Sequence, residues 1–160
     1  MKLINKEDPV ILVDLFESSL TSEEQIRLLV DELRLVEDKF YKIFDLSPCP
    51  MMINDSNGLL IDVNQSFLNI TNNIKDKKQI LGKLITENGL NFIKEKEKDY
   101  IVDCINNDGC IKNHLIKFRT LKGKKLNGLC SCSRIELNGK DCILTILQVV
   151  SKKCLLNFIF

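Results

Sequence analysis

Within TSEEQIRLLVDELRLVEDKFYKIF, residues 21–44, the apolar side chains Ile26, Leu29, Leu33, Val36, Phe40 and Ile43 recur at intervals of 3, 4, 3, 4 and 3. That spacing predicts an α-helix with one continuous apolar seam, the a and d positions of a heptad pattern sustained for about two and a half heptads. Thr21, with Glu24 three residues on, forms a capping box at its start, and Ser22 is an alternative cap. Leu28, Val30 and Leu35 widen the apolar surface beyond the seam. The pattern therefore fits both an amphipathic core helix and a helix that also faces a partner. In a parallel pair with Ile26 at a, Glu32 at g would oppose Glu37 at e, which is repulsive.

From Ser47 onward the period shortens. Met51-Met52-Ile53 and Leu59-Leu60-Ile61 flank Asn57-Gly58, the strongest short hairpin signal, because both residues tolerate the positive φ of a type I′ turn. Asn64 then stands where its side chain can accept from the free N–H groups that open the helix QSFLNIT. Helical spacing returns in KDKKQILGKLI, ending near Asn88-Gly89, and over residues 95–107, ending at Asp108-Gly109. The last third is strand-like. HLIKFRT, LNGLCSCSRIEL and DCILTILQVV are separated by Lys122-Gly123-Lys124 and Asn138-Gly139, which predicts a three-stranded antiparallel meander. Joined to the first hairpin, the meander makes an α+β fold. It has one five-stranded antiparallel sheet with short helices over one face, preceded by the amphipathic helix. The organisation is a weakly patterned segment at 1–20, the helix at 21–46, a core at 47–151 and a tail at 152–160.

Composition narrows the function classes. The 160 residues carry a net charge of +1, so overall electrostatics recruit neither nucleic acid nor membrane. The basic clusters Lys75–Lys78, Lys94–Lys98 and Lys122–Lys125 read as solvated faces and loops. Acidic Glu7, Asp8 and Asp14 interrupt the N-terminal apolar run, no cleavage site follows, and no run of about 18 apolar residues occurs. Seven cysteines without an export signal point to free thiols in the cytoplasm. No Ser/His/Asp set, phosphate-cradling glycine loop or paired carboxylates appear, which argues against an enzyme.

Residues 40–151 resemble a PAS domain. The likeness rests on Ser47-Pro48 before the first strand, Asn57-Gly58, Asn64 and Phe67 in order, then Ile80, Gly82 and Lys83. The closing Val149-Val150-Ser151 departs from the family's acidic Asp-Ile-Thr-like ending. The resemblance implies a sensory module that dimerises through its N-terminal helix and relays a signal to an effector, as in sensor histidine kinases. This chain would then be a piece of a longer protein or a free-standing domain. Haem-binding members use a His on the longest helix, and KEKEKDYIVDCINN has none; His114 lies at a strand start instead. Light-sensing flavin members carry an Asn-Cys-Arg-Phe-Leu-Gln-like run, absent here, and there is no Trp for flavin packing. No cofactor is expected.

The remaining candidates concern a cavity between sheet and helices. Asn64, Phe67, Phe118, Arg119, Ser131 and Ile146 are the candidate ligand residues, although which strand faces point inward is open without the register. Cys130 and Cys132 share a face of their strand, and with Cys142 on the next strand they are weak candidates for a soft metal site or redox pair. The expectation is a cytoplasmic homodimer that repacks its helix to signal. The alternative is a ligand-, metal- or redox-sensing module.

Overall fold

The computed structural model describes residues 20–71, 74, 76–88, 90–120 and 122–151. The expectations for most of the N-terminal segment and for the tail at 152–160 lie outside them. The element order is α1 (Ser22–Leu46), β1 (Met51–Asp55), β2 (Leu60–Val63), α2 (Gln65–Thr71), a 3₁₀ turn (Lys77–Gln79), α3 (Ile85–Asn88), β3 (Leu90–Phe92), α4 (Glu95–Asp108), β4 (Cys110–Thr120), β5 (Lys125–Leu137) and β6 (Lys140–Val150). The chain divides into two compact units, residues 1–42 and 43–160.

In the first unit α1 begins as the capping box requires. The Thr21 N–H donates to Glu24 Oε2 at 2.8 Å, and the Glu24 N–H donates back to Thr21 Oγ1 at 3.4 Å. The Thr21 contacts hold the Glu24 carboxyl below its ordinary range. The seam is not buried: Leu33 is 63% exposed and Val36 62% exposed. Ile26, Leu29, Phe40 and Ile43 are exposed as well.

In the second unit one antiparallel sheet runs in the order β2-β1-β6-β5-β4-β3. It has six strands where the sequence predicts five. The extra strand is the three-residue β3, too short to show an alternation, which pairs Phe92 with Phe118. A second difference concerns residues 76–88, predicted as one helix. Gly82 takes φ +75°, and its N–H donates to the Leu60 carbonyl while the Leu60 N–H donates to Lys83 O. The segment thus hydrogen-bonds to β2, and the helix breaks into a 3₁₀ turn and α3. Lys77 Nζ, 2.9 Å from Asp62 Oδ1, fixes the turn against β2.

The two Asn-Gly turns differ. Asn138 and Gly139 both have positive φ, as a type I′ hairpin demands. At Asn57-Gly58 only the glycine does. There Asp55 Oδ1 accepts from the N–H groups of Asn57 and Leu59, and Gly58 N–H donates to Asp55 O. The Asp55 carboxylate imposes a local turn that overrides the I′ expectation.

Alternation along β1, β4, β5 and β6 places Met52, Phe118, Cys130, Cys132 and Leu147 on the inner face, in the main core cluster with Phe67, Ile101 and Ile105. The opposite face carries a smaller cluster of Phe44, Ile53 and Cys142. Burying a side chain the size of Phe67, 1% exposed, is worth about 1.5–3 kcal/mol.

Candidate functional site

Between the inner face and the helical cover lies a cavity of about 500 Å³. Its floor is apolar, from Met52, Ile116, Phe118 and Leu147 on the strands and Ile101 and Ile105 on α4. Gly128 makes room for that floor. A Cβ there would meet Leu147 Cδ1 at 2.7 Å and Phe118 Cε1 at 3.1 Å. Polar groups enter the lining from Asn54, Lys98, Asn106 and Arg134. Neither Lys98 nor Arg134 has an ion-pair partner among the described residues. An apolar chamber with a few polar groups at its edge is the ordinary form of a small-molecule site.

Set deep in this chamber are three polar side chains. Cys130 and Cys132 stand on β5 with their sulfurs 3.5 Å apart, and Thr145, paired with Cys132 across β6, donates its hydroxyl to the Cys132 sulfur at 3.3 Å. The contact with Cys132, together with burial, pushes the Cys130 thiol up. The contact with Cys130 pulls the Cys132 thiol down, and the Thr145 bond acts in the same direction against burial. Two adjacent thiols are therefore pushed in opposite directions, and the Thr145 hydroxyl adds to the difference on the Cys132 side.

The six residues picked from sequence separate. Phe118 lines the cavity. Phe67 is buried in the core cluster that surrounds it. Asn64 is fully buried, and its amide is committed to backbone. Oδ1 accepts from Met51 N–H and Phe67 N–H, while Nδ2 donates to Phe44 O and Cys49 O, all at 2.9 Å. The predicted cap of α2 is there, and the side chain also joins the end of α1 to the start of β1. Arg119, Ser131 and Ile146 are out of phase with the inward residues of their strands and lie on the opposite face, Ser131 paired with Ile146. Ser131 Oγ accepts from Asn113 N–H there. Cys142 also points away from Cys130 and Cys132, since it is three positions from the inward Thr145 and packs with Phe44 and Ile53. The three-cysteine arrangement is thereby corrected to a pair. Among the described residues no group of three or more His, Cys, Asp or Glu is placed to hold a metal ion. His114 of β4 pairs with Cys130 of β5, and its ring lies 4.9 Å from that of Tyr100.

Arg134, Lys98 and Thr145 were missed by sequence reasoning. Arg134 and Thr145 become visible only once Cys132 is known to face inward, because register then assigns their faces. Nothing in the sequence around Lys98 distinguishes it from its charged neighbours.

This order of strands and helices, with a cavity under the sheet, is an α+β architecture shared with known domains. Residues 38–106 match the family model of the PAS domain, and the described α+β fold is PAS-like. Similar solved structures include the PAS domain of an HTR-like protein from Haloarcula marismortui, at 20% identity and TM-score 0.60, covering 78% of this chain and 99% of that one. A LOV protein from Rhodobacter sphaeroides matches at 16% identity and TM-score 0.57, covering 72% and 67%. The PAS domain of nitrogen regulation protein NR(II) from Vibrio parahaemolyticus matches at 12% and 0.57, covering 69% and 96%. At these identities the likeness is one of fold. No curated protein matches the sequence. Among the described residues no helix is long and apolar enough to cross a membrane.

Proposed function

We propose that the chain is a cytoplasmic sensory and dimerisation module without catalytic activity of its own. It pairs with a second copy through the α1 seam and relays a change in core packing or cavity occupancy to an effector by repacking that helix. The observation that carries this reading is the exposure of the whole seam, Ile26 to Ile43, at heptad spacing. An apolar stripe of that length in water costs free energy until another surface covers it. Similar structures include a PAS domain from a two-component sensor histidine kinase, which supports an effector of that class.

The chamber supports a second reading, in which a small organic molecule with an apolar body and an anionic group sits on the floor and meets Arg134 or Lys98 at the edge. Native mass spectrometry of protein purified without added ligand tests both. A dimer carrying an extra mass supports sensing by occupancy, and a bare dimer supports relay by packing alone. A bare monomer at micromolar concentration refutes the pairing.

A further inference from the structure

The thiols at the back of the chamber are not explained by packing alone. Free cysteine is a common small apolar filler, and filler needs no hydroxyl donor aimed at its sulfur. Here the Thr145 hydroxyl points at the Cys132 sulfur, and the Cys130 sulfur touches the same atom from along the strand. Both residues line the chamber, although Cys130 is 2% exposed and Cys132 4%. A hydroxyl donated to a sulfur favours its thiolate, the nucleophilic form, and the second thiol lies 3.5 Å from that sulfur.

We propose that Cys132 and Cys130 are a hydroperoxide-reactive thiol pair, with Cys132 the attacking sulfur and Cys130 the resolving one, and with the apolar chamber admitting the organic group of the peroxide. This names the signal of the sensory module and rests on that reading only for its output, not for its chemistry.

The Cys132 thiolate attacks the terminal oxygen of ROOH, so an S–O bond forms and the O–O bond breaks. The leaving alkoxide takes the Cys130 proton and departs as ROH. The Cys130 thiolate then attacks the Cys132 sulfenic acid. An S–S bond forms, the S–O bond breaks, and the expelled hydroxide takes up the proton that Cys132 released on ionising. Two thiols and one hydroperoxide give one disulfide, one alcohol and one water. The two electrons come from the sulfurs and reduce the O–O bond.

The spacing gives the product a structural consequence. Alternate residues of an extended strand have Cα atoms about 6.7 Å apart, at the upper limit of what a disulfide spans. Bridging draws Cys130 and Cys132 together and puckers β5 where it pairs with Leu147 and Thr145 of β6. The bridge is then readily reduced again, which a reversible sensor requires.

Trypsin isolates the pair, because residues 126–134, LNGLCSCSR, hold both cysteines and no other. The reduced full chain is treated with one equivalent of cumene hydroperoxide or of hydrogen peroxide, alkylated after unfolding, digested and weighed. The expected result is that this peptide loses about 2 Da, two hydrogens, and resists alkylation, while Cys104 and Cys110 remain alkylated. Cumene hydroperoxide should react faster than hydrogen peroxide. Cys130→Ser should stop at a sulfenic acid on Cys132 that dimedone traps, and Cys132→Ser should abolish oxidation of the peptide. Thr145→Val should slow the reaction roughly threefold, the thiolate lost being offset in part by higher nucleophilicity. Two alkylated thiols in the wild-type peptide while Cys104 or Cys110 is oxidised would overturn the proposal, and that measurement needs no variant to fold. A bridge that leaves the oligomeric state and α1 unchanged would sink the relay and keep the chemistry. A missing bridge in an intact dimer would do the reverse.

Discussion

The inner face of the sheet and the seam of α1 are both apolar surfaces laid down at regular spacing, yet α2 and α4 cover the first and the second lies open. Phe67 and Phe118 are at most 1% exposed, whereas Leu33 is 63% exposed. Periodicity states that a side of an element is apolar, not what covers it. The inner face is closed by α2 and α4, and its polar groups are bonded or line the chamber, apart from the buried Thr120 hydroxyl, which has no partner among the described residues. The seam, widened by Leu28, Val30 and Leu35 on the same helix, stays exposed.

The contrast can be broken from the covered side first. Phe67→Ala should destabilise the domain by about 3–5 kcal/mol, by lost burial and the cavity left behind, as read by urea unfolding; a loss below about 1 kcal/mol would show that Phe67 is not the keystone of this core. Asn64→Ala comes next. It strips partners from Met51 N–H, Phe67 N–H, Phe44 O and Cys49 O. Leaving such groups unsatisfied should cost about 2–4 kcal/mol in the same assay, and an unchanged midpoint would mean water replaces the amide at no cost.

The open side should respond differently. Leu33→Glu should leave the unfolding midpoint of the sheet domain within about 0.5 kcal/mol of wild type and weaken the dimer at least about tenfold, or 1.4 kcal/mol. Sedimentation velocity reads the second effect, and a dimer of undiminished affinity removes the seam from the interface. The smallest effect is at the helix start, where Thr21→Ala should cost about 1 kcal/mol of local helix stability, seen as faster amide exchange in the first turn. Glu24 titrates below its ordinary value when folded, so its share is present above the unfolded pKa and is lost as pH falls through the folded one. The gap between Thr21→Ala and wild type should therefore narrow in acid, and a gap independent of pH would exclude the carboxylate from the cap.

Much of this fold is legible in the sequence because it is local. Thr21 and Glu24 announce α1, Asn64 announces α2, and Asn138-Gly139 announces the β5–β6 hairpin with the required φ values. What eludes reading depends on groups distant in sequence or on competition. β3 has three residues and exists through its pairing with β4, Gly82 surrenders a helix to β2, and the Asp55 side chain rewrites a turn. The site suffers most, since one register choice sorts every candidate. It sends Cys130 and Cys132 inward and Arg119, Ser131 and Ile146 outward.

The sheet order also has a consequence in time. β1 lies between β2 and β6, so its central partner is the last strand of the sheet, roughly 90 residues further along the chain. The β4–β6 meander closes through short loops and can zip early, but the β1–β6 ladder must wait for the largest loop in the domain. During synthesis at about 5–20 residues per second, the first hairpin stands with that edge unpaired for about 5 to 20 s. The nascent chain is most vulnerable to wrong strand partners in that interval, and Asn64, already able to bind Phe44, Cys49, Met51 and Phe67, is the contact that can hold the hairpin in shape until β6 arrives.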